Sequence, residues 1–178
     1  MNDTLLPRAA VWLAALALLT APAYAQYGPD DEAETLEAMK PKVEAEVSLP
    51  SAPNEKDLMP VDTGPTARQS YAIDAKSLAV SDDHVVRYTV VSTSSSGAKN
   101  ISYEGIDCKS RTFKRYAYGS ANGKWTRSRR DQWEQVSSMS PNQLHFTLHA
   151  HFFCQAGLVS GKAPTILERI RHNRSLNY

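Results

Sequence analysis

An uneven distribution of charge most constrains how this chain of 178 residues can fold. Residues 26–62 contain ten acidic residues, three lysines and five prolines, with few large apolar side chains. Such a segment cannot bury enough apolar surface to offset the entropy lost on ordering. Residues 63–178 are basic, with sixteen basic and eight acidic residues. We therefore predict an acidic, largely disordered arm over residues 26–68 and one folded domain over residues 69–178; the arm can fold back onto the basic domain.

The first 25 residues have the pattern of a cleaved signal peptide. Arg8 precedes an apolar run over residues 9–19, and Ala23-Tyr24-Ala25 has the small residues that signal peptidase requires. The run is short for a membrane span, and no second apolar run follows it. We expect export to the periplasm, a mature N terminus at Gln26 and no stable membrane anchor.

The chain contains two cysteines, Cys108 and Cys154, both within the predicted domain. In an oxidising compartment an even pair of cysteines indicates a disulfide. Closing a loop of this length in the unfolded chain is worth roughly 4 kcal/mol before strain is considered. The alternative, a nucleophilic thiolate, would have to stay reduced in a compartment that opposes reduction.

The sequence of most of the predicted domain indicates β-structure followed by helix. Runs rich in β-branched or alternating residues predict strands over residues 70–73, 84–93, 100–108, 111–118 and 124–127. Asn122-Gly123 fits the turn between the last two strands. Ile166, Leu167 and Ile170 predict the buried side of a helix over residues 163–172. We predict an α+β fold: an antiparallel sheet of four to five strands, covered on one face by two C-terminal helices and held by one disulfide.

Residues 140–157 carry two conflicting signals. Apolar residues alternate from Leu144 to Cys154, as in a strand, but Leu144, Leu148 and Phe152 also recur at helical spacing. Ser140-Pro141-Asn142-Gln143 has the pattern of a capping box with proline at the first helical position, and Gly157 fits a helix end. We predict a helix.

Three histidines in this region, His145, His149 and His151, raise a metal-binding hypothesis. On a strand all three would share one face and could chelate copper or zinc, whereas on a helix only His145 and His149 align. No carboxylate lies nearby in the sequence to complete a site. We predict ordinary surface or half-buried histidines, with no metal and no cofactor.

A dense basic cluster is the best candidate for a binding surface. Its cations alternate with aromatic residues, a combination suited to phosphate, polysaccharide or single-stranded nucleic acid. The candidate ligand-binding residues are Lys114, Arg115, Trp125, Arg127, Arg129 and Arg130. The periplasm argues against nucleic acid, so we expect anionic envelope components or another periplasmic protein as the partner. The alternative is a solvated hairpin whose aromatic residues pack inward.

No catalytic constellation is evident in the sequence. Glu104, beside Tyr103 and followed by Gly105, is the best candidate for a catalytic carboxylate in a pocket. It could equally pair with Arg87 or Arg115 across the sheet. A small envelope enzyme using Glu104 is therefore the alternative to a non-enzymatic binding module.

Two cysteine-containing segments carry a family resemblance. Tyr103-Glu104-Gly105-x-x-Cys108, paired with the later Phe152-Phe153-Cys154, resembles the CNP1-like family, as do residues 87–91, 116–119 and 122–125. The similarity covers residues 69–171. It implies an exported proteobacterial protein and supports pairing of Cys108 with Cys154. It implies no activity and no catalytic or binding residue.

Overall fold

The computed structural model describes residues 44–65, 67–130, 132–139 and 143–176. The predicted signal peptide, residues 26–43 of the predicted arm, and Ser140-Pro141-Asn142 of the predicted capping box lie outside the described residues.

The described residues form ten strands and two α-helices. The strands are β1 (Leu58–Val61), β2 (Gln69–Asp74), β3 (Ala79–Val80), β4 (Val85–Ser94), β5 (Lys99–Asp107), β6 (Thr112–Gly119), β7 (Trp125–Arg127), β8 (Glu134–Gln135), β9 (Cys154–Gln155) and β10 (Leu158–Val159). The helical elements are a 3-10 turn (Glu55–Asp57), α1 (Leu144–Thr147), a π-helix that continues it (Leu148–Phe153) and α2 (Ala163–Arg171).

Eight of these strands form one antiparallel sheet in the order β1-β2-β4-β5-β6-β7, with β3 on β4 and β8 on β6, while β9 and β10 form a separate hairpin. The predicted α+β class is confirmed. The predicted number of four to five strands is too low. The predicted strands correspond to β2 and β4 to β7, and the sheet also includes β1, β3 and β8. Strands β3 and β8 have two residues each, too few to show a periodic pattern.

The first strand lies within the segment predicted to be an arm, so the sheet begins earlier than the predicted boundary at Gln69. Met59 and Val61 of β1 are buried and alternate with the exposed Pro60. Because β1 is at the edge of the sheet, the missing N–H of Pro60 is tolerated there. The acidic, proline-rich composition of this segment concealed a short amphipathic edge strand.

One face of the sheet packs against the helices and forms the main apolar core. On β4, Val86, Tyr88 and Val90 point to this core, as their alternation predicts. The ring of Tyr88 packs edge-on against Phe153, with 5.3 Å between the centroids. Ile166 and Ile170 of α2 are buried in the same core, and α2 matches the predicted helix closely.

The contested region is helical from Leu144 to Phe153, so the helix prediction is confirmed there, although the chain turns extended at Cys154. Cys154 forms the predicted disulfide with Cys108, directly after β5, with the two Cα atoms 5.3 Å apart. The bond joins the end of the helical segment to the sheet. No helix in the described ranges is long and apolar enough to cross a membrane.

The opposite face of the sheet is covered by residues 44–50, which form neither helix nor strand. Val85 to Val91 are all buried, although only alternate residues point to the helices, and Arg87 in the middle of this run lies beneath the covering segment. A β-bulge lies beneath it: Tyr103 pairs with Ala117 but Glu104 pairs with Arg115, so Tyr116 is an extra residue in β6.

Candidate functional site

Three adjacent strands bring two cations together beneath the covering segment. Arg87 on β4 and Lys114 on β6 both pair with Gly105 of β5, which lies between them. A Cβ atom at Gly105 would lie 2.7 Å from the Tyr116 hydroxyl and 2.9 Å from Val85 Cγ1. Glycine is therefore required at this position for the phenol of Tyr116 to lie over the middle strand.

Glu44 of the covering segment places its carboxylate among these groups. Its Oε1 accepts a 2.5 Å hydrogen bond from the Tyr116 hydroxyl and lies 3.4 Å from Nη2 of Arg87. Its Oε2 accepts a hydrogen bond of 2.9 Å from Lys114 Nζ. We call Arg87, Lys114 and Tyr116 the Glu44 site. Burial, together with the hydrogen bond to Glu44, raises the pKa of Tyr116, so the phenol stays protonated and donates.

A second carboxylate, Asp83, holds Arg87 in place. The guanidinium donates two hydrogen bonds to it, Nη1 to Oδ1 at 3.0 Å and Nη2 to Oδ2 at 2.6 Å. Burial opposes the charge on Asp83, but the hydrogen bonds from Arg87, Ala45 and Val85 outweigh it and lower its pKa to about 2. The side chain of Arg87 is only 5% exposed, and its Nε atom has no hydrogen-bond partner among the described residues. The site therefore retains one buried donor that Glu44 and Asp83 leave unused.

An aromatic cluster extends the Glu44 site along the same face. Tyr103 lies 5.7 Å from Tyr116 and 6.3 Å from Trp125 between ring centroids, and Val47 and Leu49 of the covering segment pack against this cluster. The covering segment is thus held by apolar contact as well as by its carboxylate.

Two side chains of β7 bind the backbone of the covering segment. Trp125 Nε1 donates a 2.7 Å hydrogen bond to the carbonyl of Pro50, and Arg127 Nη2 donates one of 3.2 Å to the carbonyl of Val47. The face therefore offers a site for a carboxylate, an apolar platform and side-chain donors for main-chain carbonyls.

The six predicted ligand-binding residues do not form one surface. Lys114, Trp125 and Arg127 lie beneath or beside the covering segment. Arg115 points to the helix side instead, where its Nε donates to Glu104 at 3.1 Å. Arg129 and Arg130 are exposed near the end of the hairpin, and Arg130 lies 3.8 Å from Glu134.

Glu104, the candidate catalytic carboxylate, is the centre of a buried network on the helix side. Its Oε2 contacts His145 Nε2 at 2.7 Å and the Tyr88 hydroxyl at 3.2 Å. Its Oε1 accepts from the Ser102 hydroxyl at 2.8 Å and from Arg115. Burial raises the pKa of Glu104, but the charge and hydrogen bond of His145, together with Arg115 and Ser102, outweigh burial and lower it to about 2. With 3% of its side chain exposed, Glu104 is placed to hold the fold rather than to meet a ligand.

The three histidines have separate environments. His145 stacks on Phe113, with 3.7 Å between the rings, and completes the Glu104 network. Burial lowers the pKa of His149, whereas His151 Nδ1 lies 2.9 Å from the Ser175 hydroxyl. Among the described residues there is no group of three histidine, cysteine or carboxylate side chains that could hold a metal ion.

Sequence reasoning missed four members of the covered face: Glu44, Asp83, Arg87 and Tyr116. Arg87 carried a usable signal, because it is a lone charge in a strand of β-branched residues and points away from the apolar face. No sequence signal pointed to Glu44, apart from the opposite net charges of the predicted arm and the predicted domain.

Fold and site together define a disulfide-linked, antiparallel-sheet domain that holds an extended acidic segment against one face. The model of the CNP1-like family matches residues 37–171, so this chain belongs to the CNP1-like family. The match includes the covering segment and β1. No curated protein and no solved structure shows a significant match to the chain.

Proposed function

We propose that this protein is exported to the periplasm and acts there as a non-enzymatic binding module for anionic envelope components. Its binding surface is the basic, aromatic hairpin of β6 and β7. The observation that carries the proposal is that this hairpin already binds an acidic segment: Lys114 to a carboxylate, and Trp125 and Arg127 to carbonyl oxygens. The same donors suit the phosphates and carboxylates of envelope polymers.

Exposed cations in and directly after the hairpin extend this surface. Lys124, Arg129 and Arg130 are exposed in the described structure, and Arg127 is exposed along the edge that holds Val47. Exposed cations interact with an anionic surface over about a Debye length, about 8 Å at physiological ionic strength. Binding by this surface should therefore weaken as salt rises.

Glu104 gives the enzymatic alternative no support, since its carboxylate is enclosed by four side chains. Such a buried, fully hydrogen-bonded carboxylate stabilises a fold and has no approach for a substrate.

The test is co-sedimentation of the purified protein with lipopolysaccharide, anionic liposomes and peptidoglycan sacculi at low and moderate salt. We expect retention by at least one of them at low salt and release at moderate salt. Reversing Arg127, Arg129 and Arg130 to glutamate should abolish retention, because exposed charges contribute little to stability but much to binding. A matched control reverses three exposed cations elsewhere: Arg68, Lys162 and Arg174.

Equal loss in both triple variants would indicate a net-charge effect and contradict the assignment to the hairpin. No retention by any of the three materials at low salt would contradict the function itself. Export is tested separately by cell fractionation and mass spectrometry, where a periplasmic species beginning at Gln26 is expected and an uncleaved membrane-bound chain would contradict it.

A further inference from the structure

The two cations beneath the covering segment both contact the Glu44 carboxylate. Lys114 is 10% exposed and Arg87 5% exposed in their side chains, and both lie near the ring of Tyr116, at 5.6 Å and 5.5 Å from its centroid. Asp83 neutralises Arg87 through two hydrogen bonds, and Glu44 forms an ion pair with Lys114 at 2.9 Å. One carboxylate thus contacts the Lys114 ammonium, the Tyr116 hydroxyl and the Arg87 guanidinium at once. Converging donors of this kind favour a carboxylate, whichever chain supplies it.

The covering segment is attached in a way that permits exchange. Among the described residues, residues 44–50 make no backbone–backbone hydrogen bond to the sheet. Their attachments pass through side chains: the Glu44 carboxylate, Trp125 to Pro50, Arg127 to Val47 and Asp83 to the N–H of Ala45. Each of these contacts can be made equally by a peptide that arrives from solution.

The contacts also define a sequence pattern. Glu44, Val47 and Leu49 turn inward to the cations and the aromatic cluster, while Ala45, Glu46 and Ser48 are exposed. The surface thus binds a carboxylate, an aliphatic side chain three residues later and a second aliphatic side chain two residues after that. A proline follows in this chain, and its carbonyl is the acceptor for Trp125.

We propose that the Glu44 site and the adjoining aromatic cluster form a peptide-binding site for an extended acidic segment of a partner protein, and that residues 44–50 occupy this site in the absence of the partner. The partner segment carries a glutamate or aspartate followed by two aliphatic residues at the spacing of Glu44, Val47 and Leu49. This inference does not rest on the envelope ligand, because it concerns the covered face and a peptide carboxylate.

An intramolecular occupant competes at an effective concentration in the millimolar range when its tether is short. A peptide added to the wild-type protein should therefore bind weakly, and release of the covering segment should strengthen its binding.

The experiment uses the full chain with Glu44→Ala, Val47→Ser and Leu49→Ser, referred to as the release variant. The probe is a synthetic peptide of residues 44–50, acetylated and amidated so that its ends carry no charge. Its matched control has glutamine in place of the first glutamate. Calorimetry should show at least tenfold tighter binding of the probe to the release variant than to wild type, and at least a tenfold loss with the control peptide.

Two further substitutions in the release variant locate the site. Lys114→Met should remove at least tenfold of the affinity, whereas Lys162→Met, which removes an exposed cation outside the hairpin, should leave the affinity within twofold. Equal binding of the probe and its glutamine control would overturn the proposal, as would equal effects of the two substitutions.

A release variant that does not fold would mean that the segment is a permanent part of the domain, which also overturns the proposal. A single substitution that disturbs the fold less provides a second measurement. The Glu44→Ala variant is titrated with millimolar probe while the backbone amides of Gly105 and Tyr116 are followed by NMR. Shifts of both amides with the probe, and not with its control, support the proposal, and no shift overturns it.

A concentration-dependent dimer of the wild type that Lys114→Met abolishes would identify a second copy as the occupant and contradict the partner assignment. Loss of envelope binding with peptide binding retained would overturn only the proposed function.

Discussion

The two faces of the sheet each enclose a carboxylate held by a tyrosine and cationic partners, but the carboxylates come from different parts of the fold. Glu104 belongs to the middle strand β5, and the helix that carries His145 is linked to that strand by the disulfide. Glu44 comes from a segment without regular structure, 43 residues before the arginine that it contacts. The first network is part of the domain core; the second is assembled by a segment that the domain holds only through side chains. The comparison separates a carboxylate that maintains the fold from one that can be replaced.

The largest expected effect tests the covalent support of the helix side. Replacing Cys108 and Cys154 together by alanine should lower the free energy of unfolding by roughly 4 kcal/mol, because the unfolded chain regains the entropy of the open loop. The melting temperature should then fall by more than about 10 °C. Thermal and urea denaturation measure both quantities. A loss below about 1 kcal/mol would show that the helices are held to the sheet mainly by packing.

Glu104→Gln should have the next largest effect, a loss of about 3 kcal/mol at pH 7, since Arg115 loses its buried counter-charge and His145 Nε2 loses a charged hydrogen-bond partner. Because the pKa of Glu104 is about 2 in the folded protein against 4.5 for a free glutamate, its stabilisation is complete above pH 5 and disappears as the pH falls to 2. Urea denaturation at several pH values should show this acid-dependent loss in wild type and a smaller one in the variant. Glu134→Gln, which alters a carboxylate 36% exposed, is the control. Parallel pH profiles for wild type and Glu104→Gln would contradict the assigned role.

The smallest effect should come from the other carboxylate. Glu44→Gln should cost about 1 kcal/mol, because the side chain is partly exposed and the amide can still accept a hydrogen bond from Tyr116. The change should be local: protease cleavage near residues 44–50 should become faster while the global unfolding transition barely moves. Glu46→Gln, at an exposed position of the same segment, should change neither. A loss as large as that of Glu104→Gln would remove the distinction between the two faces.

The parts predicted from sequence are those in which local pattern and tertiary structure agree. Strands β4 to β6 are rich in β-branched and aromatic residues and pair with their neighbours along the chain, so their positions follow from sequence within a residue or two. The disulfide followed from an even cysteine count in a chain with a signal-peptide pattern. Strand β1 was missed because Pro60 and the acidic flanks resemble a disordered segment, and because its pairing with β2 stabilises a sequence of weak intrinsic preference.

The candidate site was only half predictable for a different reason. The basic cluster is contiguous in sequence, so Lys114, Trp125 and Arg127 could be found by inspection. Their companions Glu44 and Arg87 are brought to them by tertiary structure, over 70 residues in the case of Glu44 and Lys114. Strand alternation then separated Lys114 from Arg115, which a reading of the cluster as one patch could not show.

The bulge in β6 determines which face of the sheet each later side chain of the hairpin occupies. Side chains change faces at every residue of a regular strand, so one additional residue exchanges the faces of all later positions. With Tyr116 as the additional residue, Ala117 pairs with Arg127 and Gly119 with Trp125, on the same face as Lys114. If the same sequence paired in regular register without the bulge, the indole and the guanidinium of β7 would face the helix side, whereas deletion of Tyr116 itself would restore regular alternation and leave both on their present face. The gathering of cations and aromatic rings beside residues 44–50 therefore depends on the bulge, which absorbs the one residue by which β6 exceeds β5.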